Sequence, residues 1–224
     1  MPDPVTILDL NGDLLISVLD PIDRLGGRKE AKGGQGVGGV QNAINNGNNN
    51  AQPTQPIHVD SIELRFKGST AKMRRASRYF KRMMNGQWLQ DSKVHSDGLR
   101  HWGFEGFNSH ATTIVLNLIH DNYYQVPNTI DFDMLLNVAL VLDHLQCSGN
   151  VPGAFGSCWI NDLEHEIPAE YNTKLSQWIC IAAVFRRNDI FKLCTHLAII
   201  DTKSEISTLS LPILPLVSGK RSTH

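Results

Sequence analysis

Apolar positions form two short runs near the start of the chain and recur at helical spacing through most of the remainder. The first run is Val5-Thr6-Ile7-Leu8-Asp9-Leu10, and the second is Leu14-Leu15-Ile16-Ser17-Val18-Leu19. Asn11-Gly12-Asp13 separates them, so the pattern predicts a β-hairpin closed by a glycine-containing turn. The second run is almost continuously apolar, as in a strand covered on both faces. From Gly26 to about Pro56 the chain is Gly, Asn and Gln, including Gly33-Gly34-Gln35-Gly36-Val37-Gly38-Gly39 and Asn45-Asn46-Gly47-Asn48-Asn49-Asn50. Such a stretch cannot bury enough surface to offset its ordering entropy and is expected to be a disordered insert. Loop-closure entropy grows slowly with length, so an insert between neighbouring strands is tolerable. The pattern resumes at Ile57, where Ile62, Leu64 and Phe66 alternate with Glu63 and Arg65 as in a half-buried strand.

Helical spacing takes over after Gly68. Ser69 or Thr70 is placed to cap a helix that runs through residues 72–82, with an apolar stripe of Met73, Ala76, Phe80 and Met83/Met84. Asn85-Gly86 is its predicted stop. Residues 87–108 read as loop, carrying Trp88, Trp102, Phe104 and Phe107 among glycines. Further helices are predicted over Ala111–His120, Phe132–Leu145 and Phe155–Leu163, the second with an apolar face wide enough for a central helix. Beyond Pro168, Leu175–Phe185 and Asp189–Ile200 read as a pair, with Trp178, Ile179, Ala182 and Phe185 facing Ile190, Phe191, Cys194 and Leu197. The tail from Ser204 is polar, then punctuated by proline, and is expected to fray. The fold class is therefore α+β, with short strands first and helices through the rest.

Composition agrees with a packed protein. The 224 residues are 41% apolar and 19% charged, enough for one domain or one domain plus an extension. The formal net charge of −1 gives no overall attraction to nucleic acid or anionic membrane. No apolar run approaches the ~20 residues of a bilayer span. Met1-Pro2-Asp3-Pro4 has no basic n-region ahead of an apolar h-region, so an intracellular protein of cytoplasm or nucleus is expected. Cys147, Cys158, Cys180 and Cys194 form no CxxC pair and are expected to be buried free thiols, not a disulfide framework or metal site.

Candidate chemistry is sparse. Gly34-x-Gly36-x-x-Gly39 matches the dinucleotide fingerprint in letters only, because no strand runs into it and no helix opens after it. Lys72, Arg74, Arg75, Arg78, Lys81 and Arg82 could grip phosphates, but balanced overall charge favours a solvated face, with an acidic protein partner as the intermediate reading. Arg74-Arg75-Ala76-Ser77 has the form of a basophilic kinase site, yet Ser77 falls near the packed face, where a phosphate would be desolvated. Glu164-His165-Glu166 lacks the spacing of a metal or acid–base motif, and His120 and His144 read as structural or exposed. A cryptic catalytic pocket would need several of His95, His101, His110 and Asp97 to converge in a concave site. No catalytic, cofactor-binding or metal-binding residue is assigned.

The order of these elements is more specific than any one of them. Ser69-x-x-x-Met73-x-x-x-Ser77-x-x-Phe80-x-x-Met83 resembles the helical signature of BTB/POZ domains. Asn11-Gly12-Asp13 before Leu14–Val18 is similar to their second strand with its leading acid, here Asp13. Phe132-x-x-Leu135-Leu136-x-x-Ala139-x-x-Leu142-x-x-Leu145, then Cys158, is similar to their later helix pair. Tyr79 to Trp88, Leu116 to His120 with Gln125-Val126-Pro127, and Trp178 to Phe185 resemble the fungal group of these proteins in particular. The resemblance implies a BTB/POZ-like domain over 5–165, interrupted by the insert at about 26–56, then a helical extension over 166–203 and a flexible tail over 204–224. It implies a non-catalytic module for homo- or hetero-association, with a protein partner or a second copy of itself and no cofactor or small-molecule substrate. A substrate adaptor for a cullin-type ubiquitin ligase is the alternative, and a transcription-related or nucleic-acid-binding role ranks behind it. The family's histidine at the helix start is Ser69 here and its following basic residue is Thr70, so a corepressor pocket centred on Asp13 is not expected.

Overall fold

The computed structural model describes residues 4–21, 61–85, 93–147 and 151–201. The Gly/Asn-rich insert with its glycine fingerprint, the segment around Trp88 and the tail from Ser204 lie outside the described residues. Strands β1 (Val5–Ile7), β2 (Leu14–Pro21), β3 (Ser61–Gly68) and β4 (Arg100–Glu105) form a mixed sheet in the order β1-β3-β2-β4. The helices are α1 (Thr70–Ala76), α2 (Arg78–Asn85), α3 (Ser109–Ile119), α4 (Phe132–His144), α5 (Gly153–Leu163), α6 (Thr173–Val184) and α7 (Asn188–Asp201). The architecture is α+β, as the hydrophobic pattern predicts.

The predicted hairpin does not form. β1 runs parallel to β3, with Val5 opposite Arg65, while β2 pairs antiparallel with β3 and parallel with β4. Asp9-Leu10-Asn11-Gly12 therefore turns the chain across the end of β3 and not back along β1. The turn is held by Leu8 and Asp9 N–H groups on the Lys67 carbonyl and by Gly12 N–H on the Asp9 carbonyl. β2 is covered fully on one face only. Leu14, Ile16 and Val18 are buried, Leu15 and Ser17 are half-buried, and Leu19 is exposed. Phe66 of β3 faces the same core, and Glu63 and Arg65 pair with each other on the outer side, 3.0 Å apart.

Two further expectations are corrected. Residues 100–105, read as loop, are the strand β4, because Trp102 buries against Phe80 while the polar residues around it leave no clear alternation. The helix over 72–82 is broken at Ser77, whose backbone is extended (φ −111°, ψ 118°). The break reorients the chain so that Met73, Ala76 and Phe80 all reach one core.

That core is continuous from the sheet through α3 and α4 to α6 and α7. α3 is buried almost all round, and α4 sits centrally between α3 and α6. The α6–α7 pair packs onto α4 through Trp178 against the Phe132 ring, 5.4 Å between centroids. Gly156 of α5 lets the Phe185 ring come within what would be 2.7 Å of a β-carbon, so a side chain at this position would displace that ring. Asn108, Asp131 and Asn172 cap α3, α4 and α6 through side-chain acceptors, as short polar residues do at helix starts. Among the described residues, no helix is long and apolar enough to cross a membrane.

Candidate functional site

The polar residues singled out by sequence gather where β2, β3 and α1 meet. Asp13 Oδ1 accepts the Thr70 N–H at 2.8 Å, and Oδ2 accepts from Arg100 Nη1 at 2.8 Å. The Arg100 N–H also donates to the Asp13 carbonyl at 2.9 Å, locking β4 to the start of β2. Both carboxylate oxygens of Asp13 are thus engaged within the chain. The Ser69 hydroxyl caps α1 by accepting the Lys72 N–H at 3.4 Å. The Ser69 N–H donates to Nε2 of His120, 2.9 Å away. His120 Nδ1 lies 2.8 Å from the Leu116 carbonyl and must donate to it. His120 is therefore the neutral Nδ1–H tautomer, 1% exposed, and it joins the end of α3 to the start of α1.

Burial pushes the His120 pKa below its ordinary 6.5, aided by the neighbouring Lys72 charge and opposed mainly by the Leu116 hydrogen bond. A group whose folded pKa is depressed in this way takes up its proton first in the unfolded chain. Stability is therefore expected to fall as pH drops below about 6.5, most steeply until the folded-state pKa is passed. His144 is shifted in the same direction by burial. Urea midpoints of the unmodified chain and of His120→Gln across pH 5–8 check this, because glutamine keeps one donor and one acceptor without titrating. The slope should flatten in the variant, and an unchanged slope would assign it elsewhere.

Ser77 is fully buried and structural. Its hydroxyl donates to the Leu145 carbonyl at 2.6 Å and accepts the Phe80 N–H at 2.9 Å. The remaining motif positions Met73, Phe80, Leu135, Ala139 and Leu142 are buried, and Met83 is half-buried against the same core.

The basic residues divide by partner. Lys72 donates to the His120 carbonyl at 2.8 Å and lies 3.6 Å from Asp9 and 3.5 Å from Asp121. Arg75 reaches Asp121 at 3.6 Å, Arg74 bonds Asn85 at 2.8 Å, and Arg82 bonds Gln146 at 2.6 Å. Arg78 and Lys81 are exposed, and among the described residues their charged ends have no acceptor.

Three of the residues required for a cryptic catalytic pocket do meet. His101 Nε2 lies 2.7 Å from Asp97 Oδ2, and the His95 and His101 rings stack at 4.0 Å. They do so on the outside of the turn before β4, where His95 and Asp97 are exposed and Asp97 also holds the Leu99 N–H. His110 stands in the first turn of α3, outside this set of contacts. Hydrogen bonds from Leu99 and then His101 hold the Asp97 carboxyl below its usual range, a poor setting for a general base. Among the described residues no group of His, Cys, Asp and Glu is placed to hold a metal ion.

The thiols follow expectation in part. Cys180 and Cys194 are buried and Cys147 is half-buried, but Cys158 is exposed on the outer face of α5. Burial pushes the Cys147 and Cys180 thiols up to about 12 and Cys194 to about 11, so none of the three supplies a thiolate nucleophile near neutral pH.

Sequence reasoning missed Arg100 and the docking role of His120. Their partners lie 87 and 51 residues away in the chain, and no local spacing marks either contact. No protein-family model, curated protein or solved structure matches the chain.

Proposed function

We propose that the chain is a non-catalytic protein–protein interaction module, built on a BTB/POZ-like domain with a helical extension, that associates with a second copy of itself or with another protein. The observation that carries this reading is the edge of the sheet at β1. Among the described residues β1 pairs with β3 alone, and its other edge is open. Val5 and Ile7 are 42% and 50% exposed, and Leu10 beside them is 83% exposed. An unpaired edge strand offers backbone donors and acceptors to an incoming strand. Moving each apolar side chain fully out of water contributes roughly 1.5–3 kcal/mol. Further support comes from the motif residues, since Met73, Ser77, Phe80, Leu135, Ala139 and Leu142 pack in the order the resemblance implies.

Sedimentation velocity over a range of concentrations tests the proposal. The unmodified chain is expected to associate as concentration rises. Val5→Lys together with Ile7→Lys should shift it to monomer without lowering its melting temperature, because both side chains are already exposed. A strict monomer at the highest attainable concentration would remove self-association.

A further inference from the structure

Helices α3, α4 and α6 end in the same way. At each, the residue after the cap takes a left-handed backbone: Asp121 (φ 63°), Gln146 (φ 49°) and Arg186 (φ 58°). The following N–H closes the turn in each case, from Asn122 to the Asn117 carbonyl, from Cys147 to Leu142 and from Arg187 to Ala182. Glycine normally fills this position, because a β-carbon there crowds the backbone. A side chain kept at such a site calls for a reason. Asp121 has one in its ion pairs with Lys72 and Arg75. Gln146 has one in accepting from Arg82. Arg186 has none among the described residues, whereas the adjacent Arg187 is held by Asp189 at 2.8 Å and by Asn161 at 2.8 Å.

Arg186 and Arg78 line one surface pocket of about 270 Å³ between the start of α2 and the ends of α4 and α6. Gln146 and Asp143 share its rim, and the half-buried Val184 contributes apolar surface. Neither guanidinium has an acceptor among the described residues, and Asp143 is the one carboxylate among the lining residues. The volume lies below the 300 Å³ or so at which small-molecule sites begin, and suits a single side chain with its neighbour. Two arginines without internal partners at one pocket recognise a carboxylate better than any neutral group.

We infer that this pocket is a docking site for an acidic segment of a partner protein, with an Asp or Glu carboxylate held between Arg78 and Arg186 and an adjacent side chain against the half-buried Val184. The inference rests on the reading of the chain as an interaction module and names the chemistry of its partner. It concerns a face built from α2, α4 and α6, separate from the β1 edge.

The test uses the full chain, immobilised and offered a phage-displayed library of random dodecapeptides. Selected peptides should be enriched in Asp and Glu and lose affinity steeply with added salt. Arg186→Gly suits this backbone conformation, so its melting temperature should not fall, yet it should weaken the selected peptides at least tenfold. Arg78→Glu, an exposed charge reversal, should do the same. No enrichment of carboxylates, or carboxylate peptides held equally by both variants, overturns the inference. Displacement of the peptides by a short DNA duplex at equal charge also overturns it, because it reassigns the arginines to phosphate. Sedimentation keeps the two readings apart: a strict monomer that captures acidic peptides sinks only self-association, and a dimer that captures none sinks only the pocket.

Discussion

Phe80→Ala is expected to cost about 3–5 kcal/mol of unfolding free energy, the usual range for deleting a fully buried phenylalanine. Phe80 is 0% exposed and meets the Trp102 ring edge-on at 5.2 Å between centroids. It is also the only fully buried side chain of α2. Tyr79, Met83 and Met84 pack against the core only in part and the remaining members are exposed, so this ring is the largest single attachment of the helix. Since native domains keep only about 5–15 kcal/mol in total, the loss consumes a large share of the stability. Equilibrium urea unfolding checks the figure. Phe80→Leu, which keeps most of the volume, should cost distinctly less, while a loss below about 1 kcal/mol for the alanine would show that α2 is held by other contacts. The consequence reaches function, because α2 carries Arg78. A chain that has lost Phe80 should also lose whatever binds at that arginine.

What the sequence reveals about this fold depends on the range of the forces involved. The helices from α3 onward are legible because each is long, capped by Asn or Asp, and apolar at helical spacing. α4 was expected over Phe132–Leu145 and spans Phe132–His144. The early strands are legible as strands but not as a pairing. Val5–Ile7 and Leu14–Pro21 are near neighbours in sequence, and a glycine turn between such runs ordinarily signals a hairpin. Here β3 inserts between them. Nothing in either run encodes that choice, which is made by the register of β3 against both. β4 escapes notice for a related reason: Arg100-His101-Trp102-Gly103-Phe104-Glu105 is strand by virtue of its parallel partner β2, not of its own composition. The junction around Asp13 was half visible. The acid and the capping serine stand in local motifs, but Arg100 and His120 arrive from distant parts of the chain. The pocket between Arg78 and Arg186 was invisible, because it joins residues 108 positions apart.

Ser77→Ala is expected to cost about 1–3 kcal/mol, although it removes a single oxygen and creates no large cavity. The hydroxyl serves two backbone groups at once, accepting from Phe80 N–H and donating to the Leu145 carbonyl in a fully buried position. Its loss uncaps α2, for which such substitutions cost about 0.5–2 kcal/mol. It also leaves the buried Leu145 carbonyl to the Tyr79 N–H at a long 3.4 Å, which adds part of the about 1–3 kcal/mol that an unsatisfied buried group costs. The two effects fall on the same joint, since the chain changes direction at Ser77 and bridges to Cys147 there. Ser77→Thr keeps the hydroxyl but adds a methyl group at a site with no exposure, and so should cost part of this and not all. The same geometry decides the fate of Arg74-Arg75-Ala76-Ser77 as a kinase site. A phosphate at Ser77 would displace the Leu145 contact and enter the core with its charge unpaired. Incubation of the folded chain with a basophilic kinase should leave Ser77 unmodified, and the urea-unfolded chain, diluted directly into the reaction, should be labelled before it refolds. Rapid labelling of the folded chain, or a Ser77→Ala variant as stable as the original, would mean that α1 and α2 do not need this oxygen to hold their angle.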